Sequence, residues 1–298
     1  MKKIVIMLFV LFFAKGIVYA DYSGSIMGTI NFAVETQFLS DEKKQGFTPL
    51  RLALVQDLAL PWYVKTVGGI DLGILSTRAK TVYGIQTAVI TATADNITGI
   101  QLGLGYVIAA EKANAIQIGG IGYAFGDFNG LQFGMLLAGT EGRLKGWQFG
   151  MNAVTYEESY GLQTGVFGAS ADGFNGVQLA GIFALGSVKG IGISPVRIMG
   201  TNQSENLKGG GINISVFNYG YRSEEKYNFT GLMLSGFNVG NAEIKGLQAG
   251  IYNSASEVKG VQIGVINYAS SLSGLQIGAI NIAKNAAIPV LPVINFKF

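Results

Sequence analysis

Gly260-Val261-Gln262-Ile263-Gly264-Val265-Ile266-Asn267 is followed fourteen positions later by Gly274-Leu275-Gln276-Ile277-Gly278-Ala279-Ile280-Asn281. The unit reads glycine, apolar, glutamine, apolar, glycine, two apolar residues and asparagine. Internal repeats decide architecture before any local feature does, and this one runs through most of the chain. Its glutamine recurs as Gln86, Gln101, Gln117, Gln132, Gln148, Gln163 and Gln178, then as Gln248, Gln262 and Gln276, with steps of 14 to 16 residues inside each run. Degenerate copies fill the remainder at Gly69-Ile70-Asp71, Gly190-Ile191-Gly192, Gly211-Ile212-Asn213 and Gly231-Leu232-Met233. Ile288–Asn295 fits as a last copy, which gives about fifteen units over residues 69–298.

Inside a unit the period is two, the signature of a strand. Val261, Ile263 and Val265 fall on one face and Gly260, Gln262 and Gly264 on the other; Leu131/Phe133/Met135 and Gly130/Gln132/Gly134 repeat that division. Charges are confined to the joins, as in Glu141–Lys145, Glu243–Lys245 and Ser256–Lys259. Each unit therefore predicts nine or ten strand residues and a turn. Two longer joins, Thr201–Lys208 and Arg222–Thr230, are the expected exposed loops. Residues 21–68 lack the motif but keep the alternation, adding two or three strands. No linker interrupts the pattern, so 21–298 reads as a single β-repeat domain, with non-motif strands over 21–68 and the repeats over 69–298.

Composition narrows the function. Of 298 residues, 44 are Gly, 49% are apolar and 13% charged, and neither His nor Cys occurs. That removes imidazole and thiolate metal sites, Ser-His-Asp and Cys-His nucleophiles, haem and iron–sulfur ligation, and disulfides. No cofactor is implied and no enzyme is expected. Residues 1–20 read as a signal peptide: a basic start (Lys2, Lys3), the apolar core Ile4–Ala14, and Val18-Tyr19-Ala20 before Asp21. This segment holds three of the 21 basic residues and none of the 18 acidic ones, so the mature chain has eighteen of each. A neutral chain gives no argument for nucleic acid. Export to the outer membrane or cell surface is the expected destination.

Two all-β folds suit a run of similar strands. The first is an antiparallel transmembrane β-barrel of about sixteen strands, apolar outward and amide inward, wide enough for a passive small-solute pore. The alternating aromatic ending Ile294-Asn295-Phe296-Lys297-Phe298 suits it, with Phe298 as the signal read by barrel-assembly machinery and outer-membrane lipid as the surrounding partner. The second is a β-solenoid of 14–16-residue coils, acting as a surface adhesion or interaction module. Its support is that the joins are all alike, each with an apolar-polar-Gly exit such as Leu144-Lys-Gly, Phe174-Asn-Gly or Val188-Lys-Gly. A parallel stack would also set Gln on Gln and bring Asn218, Asn238, Asn253, Asn267, Asn281 and Asn295 into register. Against it, a ten-residue strand leaves few residues to return, and the outer face would be nearly uncharged. The barrel is the preferred reading.

The repeated motif and the ending Pro289-Val-Leu-Pro292-Val-Ile-Asn295-Phe296 resemble an uncharacterised family of bacterial surface-repeat proteins, over about residues 69–298. The resemblance implies an envelope or surface location and supplies no catalytic residues. Gly192, Asn213 and Met233 stand where glutamine is expected, predicting an irregularity near 190–235. In a barrel the glutamine column would line the lumen, and Arg51, Asp57, Asp71 and Arg197 are the candidate lumen charges that could set selectivity. Repeat drift with local pairing is the simpler account of those four. The adjacent acids Glu157-Glu158 and Glu224-Glu225 sit in joins, without the opposed environments that acid–base catalysis needs.

Overall fold

An extended strand directs its backbone N–H and C=O groups sideways, and those groups must find partners. Here each repeat finds them in the repeat before and the repeat after, with the chains running parallel. The computed structural model describes residues 17–20, 31–35, 47–53, 64–199, 208–220 and 227–298, with no helix among them. The chain divides into two compact units, Met1–Gly142 and Arg143–Phe298.

In the first unit the strands are β1 (Ile17–Ala20), β2 (Asn31–Glu35), β3 (Phe47–Ala53), β4 (Val64–Gly73), β5 (Ser76–Ala88), β6 (Thr91–Gly103), β7 (Tyr106–Ala124) and β8 (Asp127–Thr140). From β3 to β8 each strand pairs in parallel with the next, and the motif stays in register: Asp71 faces Gln86, Gln86 faces Gln101, Gln101 faces Gln117 and Gln117 faces Gln132. β2 pairs antiparallel with both β1 and β3. A leader cleaved before Asp21 would take β1 with it.

The second unit holds β9 (Leu144–Thr155), β10 (Ser159–Ala180), β11 (Phe183–Ile193), β12 (Val196–Met199), β13 (Lys208–Gly220), β14 (Tyr227–Gly240), β15 (Ala242–Ala249), β16 (Tyr252–Ile263), β17 (Ile266–Ala283) and β18 (Val290–Lys297). Successive coils again align in parallel, through Gly146↔Gly161, Gly176↔Gly190, Gly190↔Gly211, Gly211↔Gly231, Gly231↔Gly246, Gly246↔Gly260 and Gly260↔Gly274. The irregularity expected near 190–235 is visible as two longer coils, and β11 pairs with both β12 and β13.

The fold is thus a β-solenoid with one repeat per coil, and the antiparallel barrel is not formed. Among the described residues antiparallel pairing occurs only between β1 and β2, β2 and β3, and β17 and β18. The objection to so small a coil fails for a specific reason: the ten-residue run is not one straight strand. It folds over at a corner, Leu104-Gly105 in one coil, into two short facing walls. Gln101 on the first wall reaches across to the carbonyl of Ile108 on the second, 3.0 Å away. Backbone bonding continues through the corner, from Leu104 N–H to Val89 O (3.1 Å) and from Tyr106 N–H to Ile90 O (2.7 Å), so bending orphans no amide there.

The glycine two places before each glutamine allows the coils to approach. Gly99 has φ 141°, and a Cβ there would lie 2.0 Å from the carbonyl oxygen of Gly84 in the preceding coil. Four places before the glutamine runs the principal apolar core column. Val82, Ile97, Ala113 and Phe128 supply it in the first unit, and Leu144, Phe174, Val188, Phe229, Ile244, Val258 and Leu272 in the second. Small residues such as Ala92, Ala94, Ala109, Ala169 and Ala255 fill the facing wall.

The last repeat is a correction. Residues 288–295 keep the fourteen-residue step but turn back, and β18 lies antiparallel on β17 with Asn295 opposite Gln276. The reversal covers the edge of β17, and β18, now the last strand, carries Pro292, which has no N–H to offer, and Lys297, both of which discourage the addition of further strands. Phe298 ends the cap almost fully exposed.

Candidate functional site

The most organised chemistry in the molecule is inside it. Gln86, Gln101, Gln117, Gln132, Gln148, Gln163, Gln178, Gln248, Gln262 and Gln276 are all buried. Each Nε2 in the bonded runs donates to the Oε1 of the glutamine one coil earlier: Gln101 to Gln86, Gln117 to Gln101 and Gln132 to Gln117 at 2.8 Å in the first unit. In the second, Gln163 donates to Gln148, Gln178 to Gln163, Gln262 to Gln248 and Gln276 to Gln262, at 2.7 to 2.9 Å. Most of these amides also donate to a carbonyl on the facing wall, among them Thr93, Ile108, Gly139, Ser170 and Ile282. Two acceptors for one NH2 group fix its orientation, since the flipped amide would set oxygen against oxygen.

A row of amides that all donate one way has two unlike ends. The first needs an acceptor and the last needs a donor. Asp71 is the acceptor in the first unit: its buried carboxylate takes the Gln86 amide at 3.0 Å and the Thr77 hydroxyl at 2.7 Å. Arg197 is the donor in the second, giving Nη1–H to Gln178 Oε1 at 2.8 Å. Its guanidinium occupies the space left by Gly192, where a Cβ would lie 2.6 Å from Nη2. Beyond it the column loses its amides: Asn213 bonds the Met199 sulfur at 3.2 Å, and Met233 packs in the apolar core.

A second ladder runs through the later coils with the opposite polarity. Asn218 donates to Asn238, Asn238 to Asn253, Asn253 to Asn267 and Asn267 to Asn281, at 2.8 to 3.0 Å. Over the coils that carry both, the glutamine dipoles point toward the N-terminus and the asparagine dipoles away from it, so the two rows offset each other's field. Asn295 is buried but outside this ladder, donating instead to the Ile288 carbonyl at 3.4 Å.

These positions correct the lumen reading. A single glutamine side chain bridges the two walls of its coil, leaving no channel at those rungs. Asp71 and Arg197 cap ladders rather than face water. Burial lowers the Arg197 guanidinium to about 10 and raises the neighbouring Tyr227 phenol to about 12. Arg51 lies opposite Asp71 in the pairing of β3 with β4. Asp57, Glu224-Glu225 and both long joins, apart from their flanking strand residues, lie outside the described residues, as does most of the segment 1–20 expected to be a signal peptide. Among the described residues no group of three His, Cys, Asp or Glu is placed to hold a metal ion.

With amides inward, the apolar column faces outward. Ile85, Ile116, Leu131, Trp147, Ile191 and Ile212 just before the glutamine position, and Ile118, Phe133, Ile193, Ile214, Ile263 and Ile277 just after it, are exposed. The corner protrudes further, with Leu104 at 81%, Met135 at 65% and Ile251 at 57% exposure. From one place before the glutamine position to four places after it, every rung lacks Lys, Arg and Glu, and the only Asp is the inward Asp71. Charges gather at the opposite corner, three to eight places before the glutamine. There Lys259 bonds Glu243 and Glu257 at 2.9 Å, and Asn175 bonds Glu158 at 2.8 Å. The Lys259 and Asn175 hydrogen bonds hold the Glu243 and Glu158 carboxyls, respectively, below their usual range. Each unit is therefore amphipathic about its long axis. No protein-family profile, curated protein or solved structure matches the chain.

Proposed function

We propose that this protein is a non-enzymatic, exported β-solenoid that works as an interaction module at the cell surface, engaging its partner through the uncharged outer wall. One observation carries the reading: the polar chemistry of the ladders is consumed inside, while the outer wall is apolar on every rung. A soluble surface of this kind is unusual, because contiguous exposed apolar patches beyond a few hundred Å² mark binding sites. The signal-like segment 1–20 and the resemblance of the repeat to bacterial surface-repeat proteins support the location.

The test is alkaline carbonate extraction of the envelope fraction from cells making the wild type or Ile251→Asp/Val265→Asp. Retention of the wild type with release of the variant supports the outer wall as the engaging surface. Equal release of both refutes it.

A further inference from the structure

The outer wall has a chemistry that selects among partners. Its residues are Ile, Leu, Val, Phe and Met with Trp147, Tyr252 and scattered Gly, Ala and Thr, so it offers few hydrogen-bond donors or acceptors beyond the satisfied backbone. In the second unit nine rungs at about 4.8 Å and a width of five residues at about 3.3 Å give a flat footprint of about 710 Å². A stable protein dimer takes roughly 800 Å² from each partner with close shape complementarity. That flat projection is close to what a dimer needs, so area does not decide between partners; relief does, and it is uneven. Trp147 and Phe149 stand in the rung next to Leu162 and Thr164, and the corner changes from Val216-Phe217 to Gly236-Phe237 to Ile251-Tyr252. In the first unit a depression of about 290 Å³, lined by Gly73, Val89, Gly103, Leu104 and Ile118, breaks that unit's own outer wall. A rigid protein surface would have to match that relief; fluid acyl chains need not.

The margins of the wall are also those of a bilayer interface. Exposed tyrosines flank the apolar band: Tyr83 and Tyr160 three places before the glutamine, Tyr106 and Tyr219 five or six places after the column position. Amphipathic rings sit at headgroup level in membrane proteins. Lys145, Lys189, Lys245 and Lys259 share the position of Tyr83 and Tyr160, and the acidic residues two places further from the wall, Glu158, Glu243 and Glu257, pair with Lys189, Lys245 and Lys259.

We propose that the partner is a lipid surface: the solenoid lies along a bilayer, with its apolar wall and corner in the interfacial acyl region, its tyrosines at the headgroups and its charged corner in water. This rests on the interaction-module reading and names its partner class. Because the mature chain is neutral and the charged corner points away, binding requires no anionic lipid and resists salt, unlike polybasic attachment.

The experiment is flotation of the purified chain with phosphatidylcholine vesicles at low and high salt, with quenching of Trp147 by brominated phosphatidylcholine in a Trp62→Phe background. We expect flotation at both salt concentrations, Trp147 quenching, and at least a tenfold loss of bound fraction for Ile251→Asp/Val265→Asp. Glu157→Lys, on the charged corner six places before Gln163, should float as the wild type does. Far-UV circular dichroism and melting of each variant establish that it is folded. Absence of flotation by folded wild type overturns the proposal, as does flotation insensitive to the corner variant. A lipid-free dimer abolished by that same variant, without flotation, would assign the wall to a second copy instead. Envelope retention without vesicle binding would leave the interaction module standing and remove lipid as its partner.

Discussion

Removing one amide from the middle of a ladder should cost as much as removing two neighbours. Gln101 donates to Gln86 Oε1 at 2.8 Å and to the Ala92 and Ile108 carbonyls at 3.0 Å, and accepts from Gln117 at 2.8 Å. Gln101→Leu keeps most of the volume, so cavity formation is minor, but it orphans the Gln86 oxygen in a dry interior; the Gln117 amide retains the Val107 and Tyr123 carbonyls at 3.1 and 3.3 Å. One orphan costs about 1–3 kcal/mol. Gln117→Leu strands both the Gln101 oxygen and one Gln132 N–H, whose other acceptor is the Gly139 carbonyl, and should cost about 2–6 kcal/mol. The double variant strands only the Gln86 oxygen and the Gln132 N–H, because the Gln101 oxygen is gone as well. It should therefore match Gln117→Leu alone, with a coupling energy of about 1 kcal/mol or more. Urea unfolding of the four proteins, followed by circular dichroism, measures the cycle. Additivity within ~0.5 kcal/mol, the behaviour of independent sites, would show that the ladder is not a connected network.

Position in the row should matter too. Gln276 has no partner for its Oε1, so Gln276→Leu orphans only the Gln262 oxygen and should cost about half as much as Gln117→Leu. Gly99→Ala places a Cβ against Gly84 O in a left-handed backbone and should lose at least about 1–3 kcal/mol from strain alone, read by thermal melting. Val293 is the opposite case, a β-branched residue at φ 68° and largely exposed, and Val293→Gly should raise stability by about 1 kcal/mol. Titration gives a further check. Arg197 at about 10 in the fold against its ordinary 12.5 means that the unfolded chain binds more protons in that interval, so this group makes stability rise with pH above 10. Tyr227 at about 12 against 10.0 acts in the opposite sense, because the fold retains its proton longer. Tyr227→Phe should therefore steepen the stability gain between pH 10 and 12 relative to wild type; an unchanged slope would contradict the assignment.

The repeat, its strand period and the register of both amide columns are legible in the residues themselves. Asn218 through Asn281 fall into the ladder that a parallel stack demands, and Gly192, Asn213 and Met233 mark the place where the coils lengthen. The course of the chain within a coil was harder to read. The two walls of a coil are joined at Leu104-Gly105, a dipeptide that continues the apolar pattern and carries no polar turn signal, so the run looks like one long strand. The cap was hidden for a similar reason. Ile288–Asn295 repeats the spacing, and only the reversal after Lys284 distinguishes a cap from another coil.

Sidedness was the deepest ambiguity, since alternation says which residues share a face and not which face is inside. The usual preference puts Val261 and Ile263 in and Gln262 out. The deciding signal lay in the joins, where Leu144, Phe174, Val188, Ile244, Val258 and Leu272 recur four places before the glutamine column. They supply the apolar core and share its face by the even spacing, so the glutamines must point inward with them. An inward glutamine is tolerated in so narrow a coil because its NH2 meets one acceptor in the previous coil and another on the facing wall, and a leucine there would leave the neighbouring glutamine amides short of a partner. The same arrangement strands the larger apolar column outside, where it remains in water unless something covers it. The interior is thus satisfied within each coil stack, and the outer wall is the part of the fold that a partner surface would complete.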